Sequence, residues 1–351
     1  MEIVNARSFA RAGFLGNPSD GYFGKTISLA FTEFCVDLRL TESSRVRFMP
    51  GEVDDATFES PEQLVRELRL YGYYGGIRML KAVSKLFFEY CYDHALALPK
   101  RNFTAEYKIN IPRLVGLSGS SAICSAMLKA LQTFYGVEIP LDVAPTLCLE
   151  AERDELGIAC GLQDRVIQIY NGLVFMDFER ALVESTGHGR YERLDAYIPN
   201  LPNLYVAYDP NRAEESGRAH KKVKALFQQK NHDVVAAMTE FADIAQQGRD
   251  AIVSGDVAKL PALVNANFDL RDRIFNVAEE NRRMVQVARA VGASAKFAGS
   301  GGAIVGTFED EAQFAALERA LGDIGCRTFM PHLASKADES ADLGGGNWRN
   351  S

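Results

Sequence analysis

Apolar and polar positions change rhythm repeatedly along the chain, and the changes predict its elements. Residues 2–10 and 26–40 read as strands, the second rich in β-branched and aromatic side chains. After a polar loop over 45–60, Ser60 as N-cap and Pro61 at the first helical position open a helix over 61–70. A Gly/Tyr-rich break over 71–76 precedes a long helix over 77–98, with Leu80, Val83, Phe87 and Cys91 along one stripe. Residues 103–111 alternate as a strand. Residues 121–135 form a strongly amphipathic helix in which Ala122, Ala126, Ala130 and Phe134 recur every four positions. A further helix covers 141–156. Strands at 166–170 and 173–178 are joined by Asn171-Gly172, a hairpin turn signal.

The second half is helical in character. A short strand at 204–208 is followed by helices over 217–229, 233–254, 256–265 and 269–292, a strand at 303–308 and a helix over 311–324. The polar Gly/His/Arg stretch at 187–194 marks a boundary. This gives an N-terminal domain over 1–190, a C-terminal domain over 191–335, and a polar, mobile tail over 336–351. Strands do not alternate regularly with helices, which disfavours an all-parallel doubly wound sheet.

Composition narrows the function classes. The chain has 351 residues, 47% of them apolar, enough for a sizeable core in two domains. Its formal net charge of −7 disfavours nucleic acid as a partner. The six cysteines are scattered, with no CxxC pair, which argues for a reducing compartment and against a disulfide framework or a zinc site. Residues 1–17 carry Glu2, Arg7 and Arg11 and have no leader-like apolar run. No stretch of about 18 apolar residues exists for a membrane span. The expectation is a cytoplasmic protein with no membrane partner.

Four segments carry candidate chemistry. Pro112-Arg-Leu-Val-Gly116-Leu117-Ser118-Gly119-Ser120-Ser121-Ala122 lies between a strand and a helix. Small residues there let backbone N–H groups approach phosphate oxygens, and the positive end of the following helix faces the same anion. Serine hydroxyls add donors and a possible Mg²⁺ ligand. The second segment, Arg11 to Lys25, holds a cation, tight turns and Asp20. Its Gly24-Lys25-Thr26 imitates the end of a Walker A loop, but Ser19 stands where the first glycine belongs. The third runs from Glu150 through Glu152, Gly161 and Gln163 to Asp164 and Arg165. Acids in a helix are ordinarily solvated, but Asp164 leads into an apolar segment, where a carboxylate needs a partner or a task. The fourth, Lys296-Phe-Ala-Gly299-Ser300-Gly301-Gly302-Ala303, permits close backbone approach to a ligand or a neighbouring strand and does not match a dinucleotide fingerprint.

In this order the segments resemble the GHMP kinase superfamily, and within it the plant-type glucuronokinases. That narrower likeness is carried by residues 16–26, 72–78, 112–122, 161–166, 267–271 and 296–303. The resemblance implies an α/β (α+β) fold of two domains, an N-terminal half like ribosomal protein S5 and a ferredoxin-like C-terminal half with extended helices. It implies ATP and Mg²⁺ as cofactors, with Gly116 to Ala122 as the phosphate loop and Ser121 and Glu152 as metal ligands. Asp164 would face the acceptor hydroxyl, Arg11 would stand beside it, Asp20 and Gly161 would contact the sugar, and Gly299 to Gly302 would close the site. The commoner family loop is one residue shorter than the one here. The activity implied is phosphorylation of D-glucuronate to D-glucuronate 1-phosphate. Other acceptors (galactose, galacturonate, arabinose, mevalonate) and a non-catalytic sugar and ATP sensor are the alternatives. A uronate calls for a cation, and Lys25, Arg113 and Arg165 are the candidates.

Overall fold

The computed structural model describes residues 2–51, 54, 75–211, 217–275, 277 and 279–339. The helix expected at 61–70, most of the Gly/Tyr-rich break and most of the C-terminal tail lie outside the described residues.

The first sheet is built on a long hairpin, β1 (Ile3–Leu15) against β2 (Lys25–Ser43). β1 alternates between buried and exposed positions at its start and is then buried without interruption from Ser8 to Leu15, the pattern of a strand covered on both faces. The other edge of β2 is shared. β5 (Leu173–Asp177) pairs with it over Lys25 to Leu29, and β4 (Asn102–Ile109) over Val36 to Ser43. Residues 332–334 fill the gap between them, with a bridge from Leu333 to Phe31. Short β3 (Arg47–Phe48) and β6 (Arg190–Arg193) close the two ends. The expected domain boundary between 190 and 191 therefore falls inside β6, a strand that the first sheet still holds.

α1 (Gly76–Asp93) and α2 (Gly119–Tyr135) pack together through Phe87 and Tyr135. The alanines of α2 let it lie close across β1 and β2. α3 (Ala144–Glu150) continues into a wider π turn over Ala151–Glu155, so the expected helix at 141–156 forms with an irregular last turn.

The expected strand at 166–170 is instead a helix, α4 (Gln163–Tyr170). All of its residues but Asp164 are buried, and a window that starts at Val166 leaves out the polar first turn, Gln163 to Arg165, that would reveal its helical rhythm. The hairpin expected at Asn171-Gly172 is accordingly a helix-to-strand turn, with both residues at positive φ. α5 (Arg180–Thr186) follows β5.

The second sheet is antiparallel in the order β10 (Arg327–Phe329), β7 (Asn203–Tyr208), β9 (Ala303–Phe308), β8 (Lys296–Phe297). The helices of this half are α6 (Gly217–Gln228), α7 (His232–Ser254), α8 (Leu260–Phe275), α9 (Glu279–Ala290) and α10 (Glu311–Gly322), with short α11 (Lys336–Glu339) near the end. The break expected at 265–269 does not occur, and α8 runs through it. Asn267 resembles a helix breaker in sequence but is fully buried and bonded to another segment, which removes its competition with its own helix. α7 and α8 pack against the hairpin, so the two halves of the chain share one large apolar core.

Candidate active site

β1 carries Arg11 into the space between the two sheets. Arg11 is 5% exposed and reaches three separate segments. Its Nε donates to Asp164 Oδ1 at 2.6 Å, and its Nη1 donates to the carbonyls of Gly116 at 2.7 Å and Ala298 at 3.0 Å. One guanidinium thus binds the first glycine loop, the second glycine loop and the first turn of α4.

The first glycine loop is wound tightly. Leu114, Gly116 and Ser118 all have left-handed φ values, of 57°, 79° and 62°. Such winding gathers N–H groups into anion-binding concavities, and two of the three residues pay a steric penalty as non-glycines. Gly116 is obligatory here, because a Cβ would stand 2.4 Å from the carbonyl oxygen of Gly301. The two glycine loops therefore meet backbone to backbone.

Asp164 is held on both oxygens. Oδ1 takes the Arg11 bond and Oδ2 accepts from the Ser118 hydroxyl at 2.7 Å. Burial by itself would lift its carboxyl. The charge and hydrogen bond of Arg11 overcome that, with help from Arg165 and Ser118, and hold it at about 2. Asp20 has the opposite balance. It is half-buried at the turn after β1, and its Oδ2 accepts a long 3.3 Å bond from the Gln163 N–H. Burial first, and the charge of Asp164 second, lift it to about 6 from an ordinary 3.8. The signs differ accordingly. Asp20 costs no stability below pH 3.8, and its penalty builds up as pH rises from 3.8 to about 6 and is constant above, whereas the contribution of Asp164 is present above 3.8 and is lost as pH falls through 2. Gly161 admits Asp20 to this position, since a Cβ there would lie 2.1 Å from Asp20 Oδ2.

These groups line one cavity of about 520 Å³, a size suited to small-molecule ligands. Of the residues singled out in the sequence, Arg11, Asp20, Gly116, Leu117, Ser118, Gly119, Ser120, Glu152, Gly161, Asp164, Gly299 and Ser300 line it. Ser121, Ala122, Gly301 and Gly302 are not among the lining residues. The Ser121 hydroxyl, in a residue 1% exposed, donates a long 3.3 Å bond back to the Ser118 carbonyl.

Glu152 is completely buried. Its Oε2 accepts from Arg165 Nε at 2.9 Å and from Arg165 Nη2, while its Oε1 has no hydrogen-bond partner among the described residues. An orphaned carboxylate oxygen is a hard donor of the kind that fits Mg²⁺, as is a serine hydroxyl.

Arg165 is 2% exposed and engaged with Glu152 and the Gly161 carbonyl, and Lys25 pairs with Asp177 and Gln246 away from the cavity. Of the three proposed carboxylate partners, Arg113 and Arg165 line the cavity.

Sequence reasoning missed a buried bracket behind the site. Lys296, 1% exposed, donates to the Gly13 carbonyl and Asn17 Oδ1 at 2.5 Å and to the Phe297 carbonyl at 2.8 Å. Asn267 accepts from Gly16 N–H at 2.6 Å and donates to the Asn17 carbonyl at 3.2 Å. Together they fasten the turn that presents Asp20 to the second half of the chain. The signal was a lysine among small apolar residues.

Comparison with known proteins places this arrangement in context. Residues 78–172 match the GHMP kinases N terminal domain and residues 249–325 the GHMP kinases C terminal family. Glucuronokinase 1 of Arabidopsis thaliana is 44% identical over 308 residues, 86% of this chain and 84% of its own length. Probable glucuronokinase 2 of the same plant is 45% identical over 310 residues, with the same coverage of 86% and 84%. Among solved structures, galactokinase of Lactococcus lactis complexed with galactose superposes with a TM-score of 0.69 at 16% identity, covering 95% of this chain and 94% of its own.

Proposed function

The chain belongs to the GHMP kinases, and from that premise we propose that it transfers the γ-phosphoryl group of ATP to the anomeric hydroxyl of D-glucuronate, giving D-glucuronate 1-phosphate and ADP. The observation that carries the reading is the clasp of Arg11 on Asp164 and on both glycine loops, at the wall of a single cavity. The acceptor rests on the 44–45% identity to the two plant relatives over most of their length.

The acceptor oxygen forms a bond to the γ-phosphorus, the bond from that phosphorus to the β,γ-bridging oxygen breaks, and the hydroxyl proton leaves. The transition state is loose, so positioning and charge neutralisation supply most of the rate. Asp164 orients the hydroxyl. A carboxylate held at about 2 is a weak base, so it takes the proton late, once the forming bond to phosphorus has made the hydroxyl acidic. Arg11 keeps Asp164 ionised and sets a positive charge beside the transferring group. The wound loop from Gly116 to Ser121, with Ala122 behind it in α2, offers its N–H groups to the nucleotide phosphates. Asp20 and the Gly161 turn meet the sugar, and Gly299 to Gly302 cover the site from the second sheet. Glu152 and Ser121 would hold Mg²⁺, which when bound neutralises phosphate charge.

The proposal extends to two lobes dividing just past β6 and to a cytosolic setting. All six cysteines are free thiols, and no helix among the described residues is long and apolar enough to cross a membrane.

The test is the ratio of kcat/KM for D-glucuronate to that for D-glucose, the same ring with a hydroxymethyl group in place of the carboxylate. Leaving a site cation unpaired in a partly dry cleft predicts a preference for glucuronate of roughly 10²-fold or more. A ratio near one, or a preference for galactose or mevalonate, removes the uronate while leaving a kinase.

A further inference from the structure

Residues 267–271 lie on α8, and the mechanism above gives them no task. Asn267 belongs to the buried bracket. Arg271, one turn later, lines the cavity from the second half of the chain.

Its setting is unusual for an arginine. It is 4% exposed, and its guanidinium lies 5.2 Å from the ring centres of both Phe275 and Phe297. Its Nη2 donates to the Ser300 carbonyl at 3.1 Å. Contacts with ring faces fix the guanidinium plane and exclude water without using N–H donors. The charge falls on the acceptor end of the cavity. Tyr22, two residues from Asp20 and in the same wall, is pushed up to about 12 by burial and by Asp20, and the field of Arg271 opposes that rise. Lys296 is lowered chiefly by burial, and then by the fields of Arg271 and Arg11. Positive charge thus converges where the sugar turn, the second glycine loop and α8 meet.

The other cations are placed differently. Arg11 serves Asp164 and two loop carbonyls, and Arg165 is enclosed with Glu152. Lys25 is off the cavity, Arg113 lies at the entry to the phosphate loop, and Lys224 is solvent-exposed.

We propose that Arg271 is the specificity-determining residue of this site and that its planar fork receives the carboxylate of the sugar acid. The inference rests on the sugar-acid reading above. A carboxylate matches a guanidinium edge with two parallel hydrogen bonds, which a hydroxymethyl group cannot reproduce.

The experiment measures kcat/KM for D-glucuronate and D-glucose, and KM for ATP, in the wild type, Arg271→Met and Arg271→Lys. Met is expected to lower kcat/KM on glucuronate by roughly 10²-fold or more and on glucose far less, so that the ratio collapses towards one. Lys keeps a charge without the fork, so an intermediate loss of about 10-fold on glucuronate is expected. If the Met variant does not fold, the Lys variant alone decides. A wild-type preference for glucuronate that survives either substitution overturns the role of Arg271 and leaves the sugar-acid reading intact. So does a loss carried equally on both sugars by a raised KM for ATP, which would make Arg271 a phosphate contact. A wild-type ratio near one overturns both.

Discussion

Asp164→Asn is expected to lower kcat by roughly 10²-fold or more while leaving the fold in place, the scale of a group that positions and accepts a proton in the transition state. The amide can still accept from Arg11 Nε, and Arg11 keeps its bonds to the Gly116 and Ala298 carbonyls, so the clasp survives. What is lost is the negative charge that orients the acceptor hydroxyl. The release of Arg11 from an ionic partner also leaves its charge free to bind phosphate more strongly, so KM for ATP should hold or fall. Initial-rate kinetics at saturating ATP and acceptor provide the check. Turnover within a factor of two of wild type would remove Asp164 from the chemistry.

Glu152→Gln is the second large effect, and it should appear first as lost stability. Burial would lower the Arg165 guanidinium, and the charge of Glu152 overrides it and raises it above its ordinary value. Removing that charge leaves a cation 2% exposed with only the longer 3.6 Å pairing to Asp164, which Arg11 already holds, at a cost of about 3 kcal/mol. For a unit of this size that lowers Tm by roughly 10 °C. The displaced Arg165 also frees the Gly161 carbonyl, which steadies the turn facing Asp20. The Mg²⁺ requirement of the reaction should rise as well, because the orphaned oxygen Oε1 is replaced or turned. Thermal unfolding without nucleotide or metal isolates the first effect, and a Mg²⁺ titration of activity the second. The double variant Glu152→Met with Arg165→Met should unfold at a higher temperature than Glu152→Gln, since no buried charge is then stranded. A Tm unchanged in Glu152→Gln would show that the pair is not a structural element.

Much of the site was legible because its chemistry is written in local sequence. The strand, glycine loop and helix from Asn102 to Tyr135 follow from alternation, small residues and a four-residue alanine period, each visible within a short window. Asp164 stood out as an acid leading into apolar residues. That inference led to a residue of the cavity wall through the wrong element, because Val166 to Tyr170 belongs to a helix whose apolar, β-branched composition reads equally well as a strand. Long-range pairing was not legible. Nothing near Glu152 in sequence distinguishes it from its solvated neighbours Arg153 and Asp154, and only the fold brings Arg165 onto it. The pairings of Lys296 and Asn267 were hidden for the same reason, since their partners Gly13, Gly16 and Asn17 lie 250 to 283 residues away. The short strands β6, β8 and β10 carry too few residues to set a period and exist through their neighbours in the sheets.

The most direct measurement follows the phosphorus. The protein is incubated with ATP, Mg²⁺ and D-glucuronate, and the product is read by ³¹P NMR with its coupling to sugar protons. The account predicts one new phosphate monoester, formed in step with ADP and coupled to the anomeric proton. A phosphate on any other oxygen, or ADP release that does not depend on the sugar acid, would contradict it.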